Sequence, residues 1–336
     1  MSKEEAIDIS VVVPVYREEA SIRPFLARLQ PVLESISARY EIIFCLDPSP
    51  DRTEQVILVE GERDPRIKLV LFSRRFGQPA ATMAGIGISS GASCVVIDVD
   101  LQDPPELIRD LHARMSEGFD VVYAKRRSRQ GETLVKRVVS WLGYKVIARL
   151  GDIQIPRDTG DFRIMSRRVV DELRRLPEGN GFLRGLVAYV GFPQAHVEYD
   201  RDPRHAGSGN YNRFVGSLKI GFNGIVSFGG RPLQVMSMVG LFFSGISFAL
   251  GAWYVAQKLV GVNLTPGLST TVLVVTFFSG IQLLSLGLMG EYVSRIYDEV
   301  KRRPMYIIDR TMNLPWPEAP GQGRSPPHDG LSHRER

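Results

Sequence analysis

The 336 residues amount to about two domains' worth of chain, and 42 Lys and Arg against 37 Asp and Glu leave a net charge of +5. So mild a basic balance suits an acidic small molecule or a phospholipid surface and argues against nucleic acid, which needs a concentrated basic face. The two cysteines, Cys45 and Cys94, lie in apolar runs, which excludes a disulfide framework and a Cys-rich zinc site.

The chain opens on MSKEEAIDIS, without the basic start and apolar stretch of a signal peptide. Short apolar runs then alternate with amphipathic stretches. Strands are expected at Ile9–Val15, Tyr40–Leu46, Ile67–Phe72, Ser93–Val99 and Asp120–Ala124, and helices at Ala20–Ser37, Thr53–Arg63 and Gln78–Ser90. Unbroken Val/Ile runs indicate strands buried on both faces, hence a mostly parallel sheet in an open α/β sandwich. Residues from Gly207 to Arg231, with Phe222 and Phe228, read as an amphipathic helix lying on a bilayer.

No charged residue occurs from Pro232 to Gln257, nor from Leu259 to Gly290. A stretch of roughly 20 apolar residues is long enough to span a bilayer as a helix, so both runs read as spans. Arg213, Lys219 and Arg231 precede the first, and Arg295, Lys301, Arg302 and Arg303 follow the second, whereas the connection offers only Lys258. The positive-inside bias then puts both termini in the cytoplasm, with a hairpin crossing and returning. Glu291 is expected at headgroup level, paired with Arg295 at i+4. The tail from Asn313 is rich in Pro, Gly and charge and reads as disordered.

Ligands of such sheets bind beyond the carboxyl ends of the strands. Tyr16-Arg17-Glu18 follow the first strand, Asp47 the second, Ser73-Arg74-Arg75-Phe76-Gly77-Gln78 the third, and Asp98-Val99-Asp100-Leu101-Gln102-Asp103 close the fourth. Neither a dinucleotide fingerprint nor a P-loop is present, which removes the usual phosphate cradles of redox enzymes and kinases. Asp98, Asp100 and Gln102 are hard oxygen donors, few in number, suited to Mg²⁺ or Mn²⁺ shared with substrate phosphates. The histidines show no paired ligand spacing, which speaks against zinc.

In their order along the chain, VVVPVYREE, the Asp47 turn, SRRFGQPAATMAG, DVDLQDPPE, the basic KRRSRQGETLVKR and DTGDFRIMSR, followed by two apolar runs, form a set. It resembles the polyprenyl-phosphate glycosyltransferases of glycosyltransferase family 2 over roughly residues 8–310. The resemblance implies a GT-A (Rossmann-like) cytoplasmic domain, a nucleotide-sugar donor, Mg²⁺ or Mn²⁺, and an inverting transfer to a polyprenyl phosphate lipid. It assigns Pro14, Tyr16, Glu18, Asp47 and Asp98 to the nucleotide pocket, and Asp98, Asp100 and Gln102 to the metal. Arg126, Lys136 and Ser140 would hold the acceptor phosphate, while Asp100, Asp161, Arg163 and Arg204 would be catalytic. Two departures bear on base and sugar identity: Leu46-Asp47-Pro48-Ser49 stands where Asp-Asp-Gly-Ser is common, and Gln78 where lysine is frequent.

The implied organisation is a GT-A domain over 1–205, a juxtamembrane segment over 206–231, a transmembrane hairpin over 232–292, a cytoplasmic segment over 293–312 and a tail over 313–336. The expected setting is the inner membrane, and the family, with Gly240, Ser244 and Gly251 on one span, points to a homo-oligomer, up to a tetramer. Two rival readings are a component of a processive polysaccharide synthase and a non-catalytic nucleotide-sugar sensor. Two spans are too few for a translocation channel, and a sensor has no use for the basic acceptor loop or TGDFR.

Overall fold

The computed structural model describes residues 6–127, 159–176, 183–200, 231–260 and 267–314. The first three strands form where the apolar runs lie: β1 is Ile9–Val15, β2 Tyr40–Leu46 and β3 Ile67–Phe72. Between them run α1 (Ile22–Ile36) and α2 (Thr53–Arg63), and α3 (Gln78–Ile88) leads into β4 (Ser93–Val96). A 3₁₀ turn at Pro105–Leu107 opens α4 (Ile108–Met115), followed by β5 (Val121–Arg126). Then come β6 (Thr159–Ser166), α5 (Arg167–Arg175), α6 (Leu183–Val190) and β7 (Gln194–Tyr199). Two long helices, α7 (Arg231–Leu259) and α8 (Leu268–Val300), precede β8 (Ile308–Met312).

All eight strands make one sheet, ordered β7-β5-β6-β4-β1-β2-β3-β8. The expected parallel character holds for β4-β1-β2-β3, and β5 pairs parallel with β7. The β4–β6, β5–β6 and β3–β8 pairs are antiparallel, so the sheet is mixed. Four of the seven pairings among the described strands are parallel, as expected, and the antiparallel ones all involve β6 or β8. β4 also ends at Val96, three residues short of the expected Val99, and that early exit opens the site described below.

The pleat divides the core. Val11 and Val13 of β1 face a cluster with Phe25, Leu29 and Leu33 of α1 and Ile108 and Leu111 of α4. Val12 faces the other side, with Ala81 and Ala84 of α3, Val169 and Val170 of α5, and Leu186 of α6. Both cysteines are buried and unpaired in that second layer. Helix α3 lies close on the sheet through Gly85, where a Cβ would come within 2.3 Å of Val12 Cγ1.

The last strand returns the chain to this sheet after both long helices. Asn313 Nδ2 donates to the carbonyls of Gly61 (2.8 Å) and Ile67 (2.9 Å), and Arg310 pairs with Glu54. Leu241, Phe248, Leu283 and Leu284 on the long helices are exposed, and Phe243 packs on Phe278 at 5.5 Å between ring centroids. Among the described residues one helix is long and apolar enough to cross a membrane, over Leu233–Leu250 at mean hydropathy 1.8. Two spans were expected, over Pro232–Gln257 and Leu259–Gly290, and the one found lies in the first of these runs. Glu291 and Arg295 form the expected pair at 3.0 Å. The amphipathic segment over 206–230 and the tail from 315 lie outside the described residues.

Candidate active site

The carboxyl ends of β1 to β4 bring together the segments that the sequence reading singled out. Val12 O accepts from Ile97 N and Val15 O from Asp47 N, so β1 alternates its bonds between its two neighbours. Pro14 consequently turns its missing donor toward β4, past the end of that ladder at Val96, where no bond is lost. Pro14 is buried in β1 and shapes the strand end.

The loop after β1 is tied to the loop after β2. Arg17 N donates to Ser49 Oγ at 2.9 Å and Glu18 N to Thr53 Oγ1 at 3.0 Å. The Glu18 carboxylate accepts from Ser21 Oγ at 2.6 Å. Arg17 holds a left-handed backbone, φ 58°, which a non-glycine residue adopts at some cost. Tyr16 lies under the Arg75 guanidinium, 4.0 Å from the ring centroid, with Arg17 at 5.3 Å. The result is an aromatic and basic lip suited to a base and a diphosphate.

Asp47 is 3% exposed, and its two oxygens accept from Phe76 N (2.9 Å) and Gly77 N (2.8 Å). The resemblance assigns it to the nucleotide base; its bonds hold the loop that leads into α3. Gly77 has φ 92°, a conformation that favours glycine and turns the chain into the helix. Gln78, at the lysine position, donates from Nε2 to Asp98 Oδ1 at 2.8 Å.

Past β4, Leu101 takes φ 60° and folds the acidic segment back on itself. Asp100, 7% exposed, accepts from Gln102 N at 3.1 Å. Among the described residues no group of three or more His, Cys, Asp or Glu gathers into a metal site. Two carboxylates and an amide are donor chemistry that a hard divalent cation would accept. The Asp103 carboxylate, 2% exposed, takes the Tyr199 hydroxyl. Burial and the adjoining Asp103 push Tyr199 up to about 12.

Antiparallel pairing of β6 with β4, Arg163 opposite Val96, carries Asp161 to the same edge. Arg163 is 3% exposed; it donates to the carbonyls of Gly160 (3.0 Å) and Asp161 (3.2 Å), and burial pulls it down to about 10. It braces the irregular end of β6. Arg126 extends along Gly160, bonded to Tyr199 Oη at 3.3 Å and 3.9 Å from Asp103. Asp161 pairs with a residue that the sequence reading missed: Arg184 Nε donates to its Oδ1 at 2.9 Å. Burial alone would raise Asp161, but Arg184, Arg163 and Arg126 outweigh it and hold the carboxyl below its ordinary value. Lys136, Ser140 and Arg204 lie outside the described residues.

A helix-covered sheet whose central strand β4 leads into an Asp-x-Asp pair, beside the lip of Tyr16 and Arg75, defines a GT-A domain. The chain belongs to glycosyl transferase family 2, whose sequence pattern matches residues 10–174, and it is a glycosyltransferase. An uncharacterized glycosyltransferase of Bacillus subtilis is 43% identical over 92% of this chain and 95% of its own length. A bactoprenol glucosyl transferase of Shigella phage SfII is 39% identical over 90% of this chain and 98% of its own. Among solved structures, glucosyl-3-phosphoglycerate synthase from Mycobacterium tuberculosis, with Mg²⁺ and UDP, is 20% identical. That match covers 66% of this chain and 77% of the other at a TM-score of 0.44.

Proposed function

We propose that this chain is a membrane-anchored inverting glycosyltransferase that moves a sugar from a nucleotide-sugar donor to the phosphate of a polyprenyl phosphate. UDP-sugars are the favoured donors, with GDP-sugars the alternative. The observation that carries the reading is the single sheet edge that joins the Asp98–Asp100 pair to the Asp161–Arg184–Arg126 group. An acid pair for the donor and an arginine-rich corner for an anionic acceptor are what such a transfer requires. The bactoprenol glucosyl transferases among the relatives support the same acceptor.

A phosphate monoester, with its second pKa near ~6, is largely dianionic at neutral pH and needs little help from a base. Its oxygen attacks the anomeric carbon as the bond from that carbon to the nucleoside diphosphate breaks, and one such displacement inverts the centre. Asp98, Asp100 and Gln102 would hold the divalent cation, which supplies charge neutralisation for the diphosphate. Tyr16 and Arg75 flank the base and diphosphate, and Arg204 adds positive charge at the departing group. Arg126, with Lys136 and Ser140, positions the acceptor phosphate, and Asp161 orients the arginines around it.

The anchoring is a hairpin, with the enzyme in the inner membrane and its catalytic domain in the cytoplasm. Strand β8 supports this: the chain leaves the domain before α7 and rejoins the same sheet after α8, so it crosses an even number of times. The basic residues on both outer flanks agree. The test is to incubate membranes containing the protein with radiolabelled UDP- and GDP-sugars and polyprenyl phosphate, then extract lipid. Metal-dependent label in the lipid phase is expected, and label confined to polymer or to free sugar would refute the reading.

A further inference from the structure

The arginine expected to act in the TGDFR motif, Arg163, is sealed in the protein with its side chain 4% exposed and its bonds committed to backbone carbonyls. Arg184 approaches the same carboxylate from a different element, and its side chain is 28% exposed. Helix α6 holds it firmly, because Leu183, Leu186 and Val187 are buried in the core while Arg184 faces the cleft carboxylate. One nitrogen, Nε, is bonded to Asp161; among the described residues no acceptor takes its two terminal nitrogens. A guanidinium so fixed presents a planar fork that matches phosphate oxygens.

We propose that Arg184, oriented through Nε by Asp161, binds the acceptor phosphate with its terminal nitrogens, sharing that anion with Arg126. The proposal deepens the reading of a lipid-phosphate acceptor and rests on it for the identity of the lipid, but not for the phosphate site itself. Asp161 is then a positioning residue, and Arg184 the group that touches the acceptor.

The experiment uses the full-length protein in detergent and compares wild type with Arg184→Ala and Arg184→Lys. In turnover with polyprenyl phosphate, Arg184→Ala should lower kcat/KM for the lipid about 10- to 100-fold, the loss of a charge-assisted contact, with donor KM held within about twofold. Arg184→Lys should recover part of the loss, since it keeps the charge but not the fork. The acid limb of the pH profile gives a second readout. The charges facing Asp161 are Arg184 on α6, Arg163 on its own strand and Arg126 on β5; because Asp161 acts through Arg184, the part of the limb that its carboxyl sets should disappear in Arg184→Ala. A third arm measures binding of inorganic phosphate to the UDP-bound protein without turnover. Phosphate affinity that falls in Arg184→Ala while UDP affinity stays supports the site. Equal phosphate affinity in the variant, or no phosphate binding by wild type, overturns it. Phosphate binding through Arg184 by a wild type that makes no glycolipid would support this site and refute the lipid acceptor.

Discussion

Replacing Asp47 by Asn tests whether this buried acid builds the donor loop or reads the base. Its two oxygens accept the N–H groups of Phe76 and Gly77 at 2.9 and 2.8 Å. Hydrogen bonds to a charged acceptor are worth about 1.5–3 kcal/mol each, so the pair sets a ceiling of about 3–6 kcal/mol. Phe76 and Gly77 are half-buried, and water recovers part of this, leaving about 2–3 kcal/mol. Asparagine also points an N–H at an N–H, so Asp47→Asn should be about as damaging as Asp47→Ala. The expected result is a fall of about 4–12 °C in the thermal midpoint of the detergent-solubilised protein. UDP affinity should weaken about tenfold as the loop loosens, about 1.4 kcal/mol of that loss. The ranking of UDP, GDP and CDP should stay as in wild type. An unmoved midpoint with a changed base ranking would refute the reasoning and return Asp47 to the base.

Glu41, 1% exposed, accepts from Ser10 Oγ (2.5 Å), Ser90 N (2.7 Å) and Ser90 Oγ (2.8 Å) and pairs with Lys68 at 2.6 Å. Glu41→Gln leaves Lys68 without its carboxylate and should cost about 3–5 kcal/mol in urea unfolding. Burial raises the Glu41 carboxyl, but Lys68, Ser10 and Ser90 hold it below its ordinary value. Its contribution is therefore present above the unfolded carboxylate value and lost as pH falls through the folded one; Glu41→Gln should flatten that acid-side decline. For topology, Cys45 and Cys94 are fully buried, so Asn263→Cys gives one reactive thiol. It should react with an impermeant maleimide from the extracytoplasmic side, and labelling only from the cytoplasm would overturn the hairpin. Asn313→Ala, which removes both bonds to the Gly61 and Ile67 carbonyls, should cost about 1–3 kcal/mol by the same unfolding assay.

The parts of the fold that could be read in the sequence are those whose burial is two-sided. β1, β2 and β3 have every or nearly every residue buried, which leaves an unbroken apolar run, and the expected bounds match those observed. β7 and β8 lie at the sheet edges with mixed exposure, so QAHVEY and IDRTM carry no such run. β8 was also hidden because its partner, β3, lies across both long helices in sequence. The Asp98–Gln102 segment could be read as a site because it follows an apolar strand. Asp47 could be placed but not its bonds, since its partners are backbone N–H groups of another loop. Arg184 gave no signal at all: it reaches Asp161 only because α6 packs beside α5 and the sheet.

The bond that the enzyme forms identifies both the acceptor atom and the stereochemistry of transfer. Purified protein, a divalent cation, polyprenyl phosphate and a ¹³C-labelled nucleotide sugar should give a product whose anomeric carbon couples to the lipid phosphorus in NMR. Its configuration should be opposite to that of the donor, and Asp100→Asn should abolish its formation. A sugar joined to any atom other than the lipid phosphate oxygen, or retained anomeric configuration, would contradict it.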